Sequence, residues 1–227
     1  MNQITAINPR EAEFGVDQLF LDRWSPRAFS DAEVGEQELL TILDAAHWAP
    51  SAFNAQPWRF VYARRGDASW ERLVGVLNEF NQSWARDAGA LVVIVSKTHD
   101  VAPGATEATP TYSHSFDAGA AWAQLALQSS LLGLHAHAMT GLNFETVNAA
   151  LGIPEGYRVE AAVAIGRLGD KAKLPDFLRD RETAADHLAA AVLLEPVHAG
   201  EQAVVETLHA HGKSRDARVA IAPQIVR

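Results

Sequence analysis

A layered α/β or α+β sandwich is the fold class that the sequence predicts, and three observations predict it. Valine- and alanine-rich apolar runs over residues 90–96 and 161–166 are the mark of strands buried on both faces. Long helical patterns alternate with them. One spans 36–47, with Leu39, Leu40, Ile42, Leu43 and Ala46 on one face, and another spans 115–132, where Ala118, Gly119, Ala120 and Ala121 permit close approach. Finally, 227 residues of 48% hydrophobic content suffice for one sizeable core, so one domain is the default.

Composition excludes several function classes. A net charge of -9 argues against a nucleic-acid footprint or a polybasic membrane contact, since both need clustered Lys and Arg. With no cysteine there is no disulfide, thiolate nucleophile, or Cys-ligated zinc or iron–sulfur site. Redox chemistry, if any, then comes from a bound organic cofactor or a His/carboxylate metal. No segment approaches the ~20 apolar residues of a membrane span, and the polar N-terminus lacks a signal-peptide pattern, so a cytoplasmic protein is expected.

Taken in order, residues 1–15 lack periodicity and form a lead-in, and a short helix follows with Val16, Leu19, Phe20 and Arg23 at helical spacing. Arg23, Ser25 and Arg27 then place two guanidinium groups and a hydroxyl within five residues around the helix-breaking Pro26. Such a cluster suits a phosphate, although two surface arginines pairing with Asp22 and Asp31 account for the same residues. The helix over 36–47 ends at Pro50. Between Pro50 and Pro57, Ser51, Asn54 and Gln56 offer donors and acceptors, and the turn frees backbone N–H groups around Ala52, so a planar polar ligand can be read edge-on. An ordinary helix-to-strand loop that satisfies its own backbone is the plainer alternative.

Residues 59–64 read as a strand, and Trp70, Leu73, Val74, Leu77 and Phe80 as one face of a helix. Residues 99–113, with Pro103, Gly104 and Pro110, form the longest loop and a candidate lid. Tyr112 and His114 at its end either border a cavity or simply pack. The His135/His137 and His209/His211 pairs invite a metal reading, but no third ligand accompanies them. A helix over 143–151, with Asn143 as N-cap and Gly152 at its end, precedes the last strand at 158–167. Gly212-Lys213-Ser214 is not a phosphate loop, because Thr207 stands where the first glycine is required.

Two of these stretches carry a family resemblance: Pro50-Ser51-x-x-Asn54-x-Gln56-Pro57-Trp58 and, ahead of it, Arg23-x-Ser25-x-Arg27-x-Phe29. In this order they resemble the nitroreductase family of FMN-dependent oxidoreductases, over approximately residues 16–182. The resemblance implies an α+β three-layer sandwich with a central mixed β-sheet, and a long central helix at the interface of a homodimer with two shared flavin sites. It implies electron transfer from NAD(P)H through FMN to an electron-poor acceptor, in ping-pong order and with no catalytic acid–base residue. Arg23, Ser25 and Arg27, with Trp24 between them, would hold the phosphate or the pyrimidine edge. Pro50, Ser51, Ala52, Asn54 and Gln56 would cover the ring from the partner. Met139, Thr140 and Gly141 would address flavin N5, and Arg181 would approach the phosphate. Asn81 would either reach the pyrimidine edge or act as a helix C-cap.

The chain also departs from the family. Trp84 stands where some relatives carry lysine, and Thr140 where several carry glutamate. Asp186 and His187 replace a basic pair, and residues 183–227 form an unfamiliar extension. A flavin-binding protein with little turnover, or a specialised FMN enzyme such as a dehalogenase, is the alternative.

Overall fold

The computed structural model describes residues 10–12, 14–101 and 104–184. The chain begins with α1 (Gln18–Asp22), capped by the Asp17 carboxylate, which accepts from the Leu19 N–H. α2 (Glu36–His47) has Glu38 reaching back to the Gly35 N–H at 2.9 Å and buries Leu39, Ile42, Leu43 and Ala46. Leu40, expected on that face, is exposed. A 3-10 turn (Ala52–Asn54) leads into β1 (Trp58–Arg64), followed by α3 (Trp70–Gly75), α4 (Glu79–Ala85) and β2 (Ala90–Lys97). A small pair, β3 (His99–Asp100) and β4 (Thr109–Pro110), precedes α5 (His114–Leu131) and β5 (His135–Met139). Then come α6 (Val147–Leu151), β6 (Tyr157–Gly166), a second 3-10 turn (Lys171–Lys173) and α7 (Asp176–Arg179).

The main sheet runs β1-β2-β6-β5, and every pairing in it is antiparallel. A mixed sheet is therefore not what the described residues form. The connections explain why: Ala90 at the start of β2 pairs with Arg64 at the end of β1, and a strand that starts beside the end of its neighbour runs back along it. Side chains alternate across the sheet. Ala90, Val92, Ile94, Val163 and Ile165 join the cluster of α2 and α5. Leu91, Val93, Val95, Ala162 and Ala164 join the opposite cluster, with Trp70 and Leu73 of α3, Trp84 of α4, Val147 of α6 and Leu178 of α7. These are the three layers expected, and cover on both faces explains why β2 reads as an unbroken apolar run.

Three boundaries differ from the sequence expectation. The single helix from Trp70 to Phe80 is two, because Asn78 leaves helical geometry, caps α4 by accepting the Asn81 N–H, and donates its own N–H to Gly141 O at 3.0 Å. Leu77 stays fully buried while Phe80 is exposed. α6 begins at Val147 rather than near Asn143, whose carbonyl accepts from the Thr146 and Val147 N–H groups. The 99–113 segment is not structureless, since β3 and β4 pair across it.

Candidate active site

α1 stops at Asp22, and its C-cap Arg23 is already extended, opening the loop that carries the arginines. Arg23 is half-buried and donates to Ser25 Oγ at 3.4 Å. Burial, and then the neighbouring charge of Arg10, push its pKa below the ordinary arginine value, and a nearby anion relieves both effects. The Arg27 guanidinium carbon lies 5.8 Å from the centroid of the Trp84 ring, a cation–π arrangement. Its Nε is buried without a hydrogen-bond partner among the described residues. An orphaned guanidinium N–H is costly and is the kind of donor that a bound acceptor satisfies.

This loop is fixed from several sides. His137 Nδ1 lies 2.9 Å from Pro26 O, and because a carbonyl only accepts, Nδ1 carries the proton. The His137 ring packs 4.7 Å from that of Trp84. Glu182 Oε1 accepts from the N–H groups of both Arg27 and Ala28, at 2.7 Å each. Trp24 meets His135 edge-on at 6.0 Å. The His135/His137 pair thus faces the loop from β5, while His209 and His211 lie outside the described residues, as do Asp186 and His187.

Beside the loop, α4 and the turn after β5 meet. Gly141 O accepts from Asn81 Nδ2 and from the Asn78 N–H, both at 3.0 Å. A Cβ at Gly141 would fall against both asparagine amide nitrogens, so any larger residue would have to displace the two side chains that meet there. Asn81 is buried in the first turns of α4, which removes its C-cap reading. Trp84 follows it by three residues on the same helical face, so Asn81, Trp84 and Arg27 converge. Met139 is buried, Thr140 is exposed, and the Gly141 N–H has no hydrogen-bond partner among the described residues.

The 50–56 turn stands apart. Among the described residues no hydrogen bond or ion pair joins it to the arginine loop or to the 139–141 turn. It is anchored on α5 instead, through the Ala52 N–H donating to Asp117 Oδ2 at 3.2 Å, with Ser113 Oγ donating to the same oxygen at 2.9 Å. The Ala52 N–H is therefore engaged rather than freed by the turn. Ser51 Oγ accepts from the Gln56 N–H at 3.0 Å, and Gln56 Nε2 donates to Asn54 O at 3.0 Å, so the turn does satisfy much of its own backbone. Yet Phe53, Asn54 and Gln56 all hold positive φ, at 52°, 56° and 46°. Three left-handed non-glycine residues within four positions are a strain that ordinary loops avoid and functional sites retain. Pro50 and Phe53 are exposed beside them.

Arg181 is exposed, while its neighbour Glu182 turns inward to the loop. Glu182, His137 and Asp117 are the residues that sequence reasoning missed. Only the alternation of His135 and His137 on one strand signalled any of them.

His137 also predicts a pH effect. Burial, offset by its bond to Pro26 O, lowers its pKa from 6.5 to about 4. Between those values the unfolded chain binds a proton that the folded chain refuses, so stability is full above pH 6.5 and is lost as pH falls toward 4. The slope is about 1.4 kcal/mol per pH unit, or about 3 kcal/mol in all. Urea unfolding at pH 7 and pH 4.5 is expected to show a larger loss for the wild type than for His137→Asn. Equal losses would place the imidazole in solvent.

The chain thus presents a cationic loop with an orphaned buried donor beside a buried asparagine–glycine contact, and, apart from them, a strained polar turn anchored on α5. Residues 21–167 match the nitroreductase family, and the chain belongs to it. A solved structure described as an oxidoreductase containing FMN is 49% identical, with a TM-score of 0.80, covering 86% of this chain and 98% of that one. An NADH dehydrogenase of Thermus thermophilus is 32% identical over 175 residues, 64% of this chain and 83% of the relative. An uncharacterized 15.4 kDa protein of Mycolicibacterium smegmatis is 37% identical over 133 residues, 55% of this chain and 85% of the relative.

Proposed function

We propose that this protein is an FMN-dependent oxidoreductase that oxidises NAD(P)H and, in a second half-reaction, reduces a small electron-poor acceptor such as a nitroaromatic, a quinone or an activated alkene. The observation that carries the reading is the Arg27 Nε, buried without a partner among the described residues, on the same loop as Arg23, whose charge burial disfavours. Both want an acceptor, and FMN offers two: its anionic phosphate and the carbonyl oxygens of its pyrimidine edge. FMN, when bound, supplies the hydride and electron chemistry that a chain without cysteine lacks.

The chain's own residues bind and orient. Arg23, Ser25 and Arg27 meet the anionic groups, Asn81 fixes the Gly141 carbonyl, and the Gly141 N–H is left to address the ring. The 50–56 turn of a second copy covers the ring and excludes water. That role is supported by its separation from the arginine loop within one chain, and by a run of exposed apolar side chains: Trp48 at 74%, Phe116 at 83% and Leu131 at 64% exposure, with Phe53 fully exposed. Several large apolar side chains left exposed near one turn and along one helix are what a partner surface covers, and we assign that partner to a second copy in a homodimer. In this reading the binding domain spans residues 16–182 and residues 183–227 are its C-terminal extension, of which 185–227 lie outside the described residues. No helix of the described residues is long and apolar enough to cross a membrane. A cytoplasmic location, where reduced pyridine nucleotide is at hand, belongs to the same proposal.

The test is a visible spectrum of flavin-loaded protein followed by anaerobic addition of NADH and of NADPH, with the oligomer size read by light scattering. Bleaching of the flavin bands and a dimer are expected. Bound flavin that neither nucleotide bleaches would instead support a flavin-binding protein without turnover. A stable folded monomer at micromolar concentration would remove the shared site.

A further inference from the structure

We infer that His137 and Glu182 are positioning residues that hold a single peptide group, the one joining Pro26 to Arg27, at both of its ends and so aim the Arg27 guanidinium at the bound cofactor. The inference rests on the FMN reading above and deepens it. The carbonyl of that peptide accepts from His137 Nδ1 at 2.9 Å, and its N–H donates to Glu182 Oε1 at 2.7 Å. The same carboxylate oxygen takes the next N–H, that of Ala28, at 2.7 Å. With both ends fixed the peptide plane cannot rotate, and the direction in which the Arg27 side chain leaves the backbone is set.

What lies beyond is consistent with that purpose. The Trp84 indole packs against His137 at 4.7 Å and lies 5.8 Å from the Arg27 guanidinium carbon. His137 therefore supports both the backbone of Arg27 and the ring on which its side chain rests. Glu182 is 6% exposed, and its second oxygen, Oε2, has no partner among the described residues. A carboxylate retained beside an anion site, with one oxygen unpaired, is electrostatically unfavourable to a phosphate. Its hydrogen bonds to two consecutive amides are the compensating role. The clamp also ties the chain just ahead of its C-terminal extension to the loop, so the two ends of the domain meet at the cofactor.

Glutamate and glutamine separate this role from simple charge. The Glu182→Gln variant keeps an oxygen that accepts from both amides and removes the negative charge; Glu182→Ala removes both. The experiment is calorimetric titration of flavin-stripped Glu182→Gln, Glu182→Ala, His137→Leu and His137→Asn with FMN and with riboflavin. Amide hydrogen exchange at Arg27 and Ala28 is followed in parallel. The asparagine amide nitrogen lies where imidazole Nδ1 does, so His137→Asn is the conservative partner.

Glu182→Ala and His137→Leu are expected to weaken FMN by about tenfold, with riboflavin responding in the same pattern as it does to Arg27→Ala. Glu182→Gln should bind FMN at least as well as the wild type, and His137→Asn should recover most of the loss. Exchange at Arg27 and Ala28 should quicken in Glu182→Ala and not in Glu182→Gln. If Glu182→Ala and Glu182→Gln both tighten FMN, the carboxylate acts only by repulsion and the clamp is refuted. Unchanged affinities for both FMN and riboflavin in Glu182→Ala and His137→Leu would refute it as well. Failure of the underlying reading looks different: the wild type would bind neither flavin, and the exchange pattern alone would then decide whether the peptide is clamped.

Discussion

Trp84→Ala is expected to remove about 3–5 kcal/mol of folding stability, a large part of the ~5–15 kcal/mol that a domain of this size has. Trp84 is 1% exposed and lies at the meeting point of three elements. Its ring stacks on Phe29 at 6.3 Å, packs on His137 at 4.7 Å, and carries the Arg27 guanidinium. Alanine would leave a cavity between α4, β5 and the arginine loop that close-packed neighbours fill only in part. Phenylalanine should be much milder. It keeps an aromatic surface and removes an indole N–H that is buried without a partner among the described residues, so one unfavourable group leaves with the lost area. Chemical denaturation of the apoprotein is the measurement. Equal losses for Trp84→Ala and Trp84→Phe would mean that the site's packing does not depend on this ring.

The position of Trp84 also shows what the sequence could and could not reveal. Asn81, Trp84 and Ala85 share a buried face of α4, but what covers that face, Phe29, Arg27 and His137, is distant in the chain, and the sequence reading ended its helix at Phe80. α2 and β2 were legible, because their apolar positions repeat with the period of one helix or fill both faces of one strand. Both motifs that carry the family resemblance were legible because each is contiguous in the chain, and residues 21–167 match that family. What was hidden depends on partners far away in sequence. The break at Asn78 is made by Gly141 O, the engagement of the Ala52 N–H by Asp117, and the inward turn of Glu182 by the amides of Arg27 and Ala28. No window of a dozen residues contains both members of any of these pairs. The mixed sheet was inferred from resemblance rather than from residues, and the described strands are joined so that each pairing is antiparallel.

Arg27→Ala is expected to weaken FMN by about ten- to a hundred-fold, corresponding to the roughly 1.5–3 kcal/mol of a lost charge-assisted hydrogen bond. Riboflavin, which lacks the phosphate, separates the two places where Arg27 can act. If the guanidinium meets the phosphate, riboflavin affinity stays near that of the wild type; if it meets the pyrimidine edge, both ligands weaken together. Arg27→Lys sharpens the reading, because lysine restores the charge but neither the planar fork nor the stacking on Trp84. Partial recovery is therefore expected, with Arg27→Lys between the wild type and Arg27→Ala. Arg23→Ala should show a similar direction, since burial and Arg10 already disfavour its charge and an anion is what offsets them. Salt should erode these differences, as charge pairs at a half-exposed site are screened. Titrations at low and moderate ionic strength provide the check. FMN binding that is tight, insensitive to salt and unchanged in Arg27→Ala would move the anion site away from this loop and leave the orphaned Nε without a ligand to explain it.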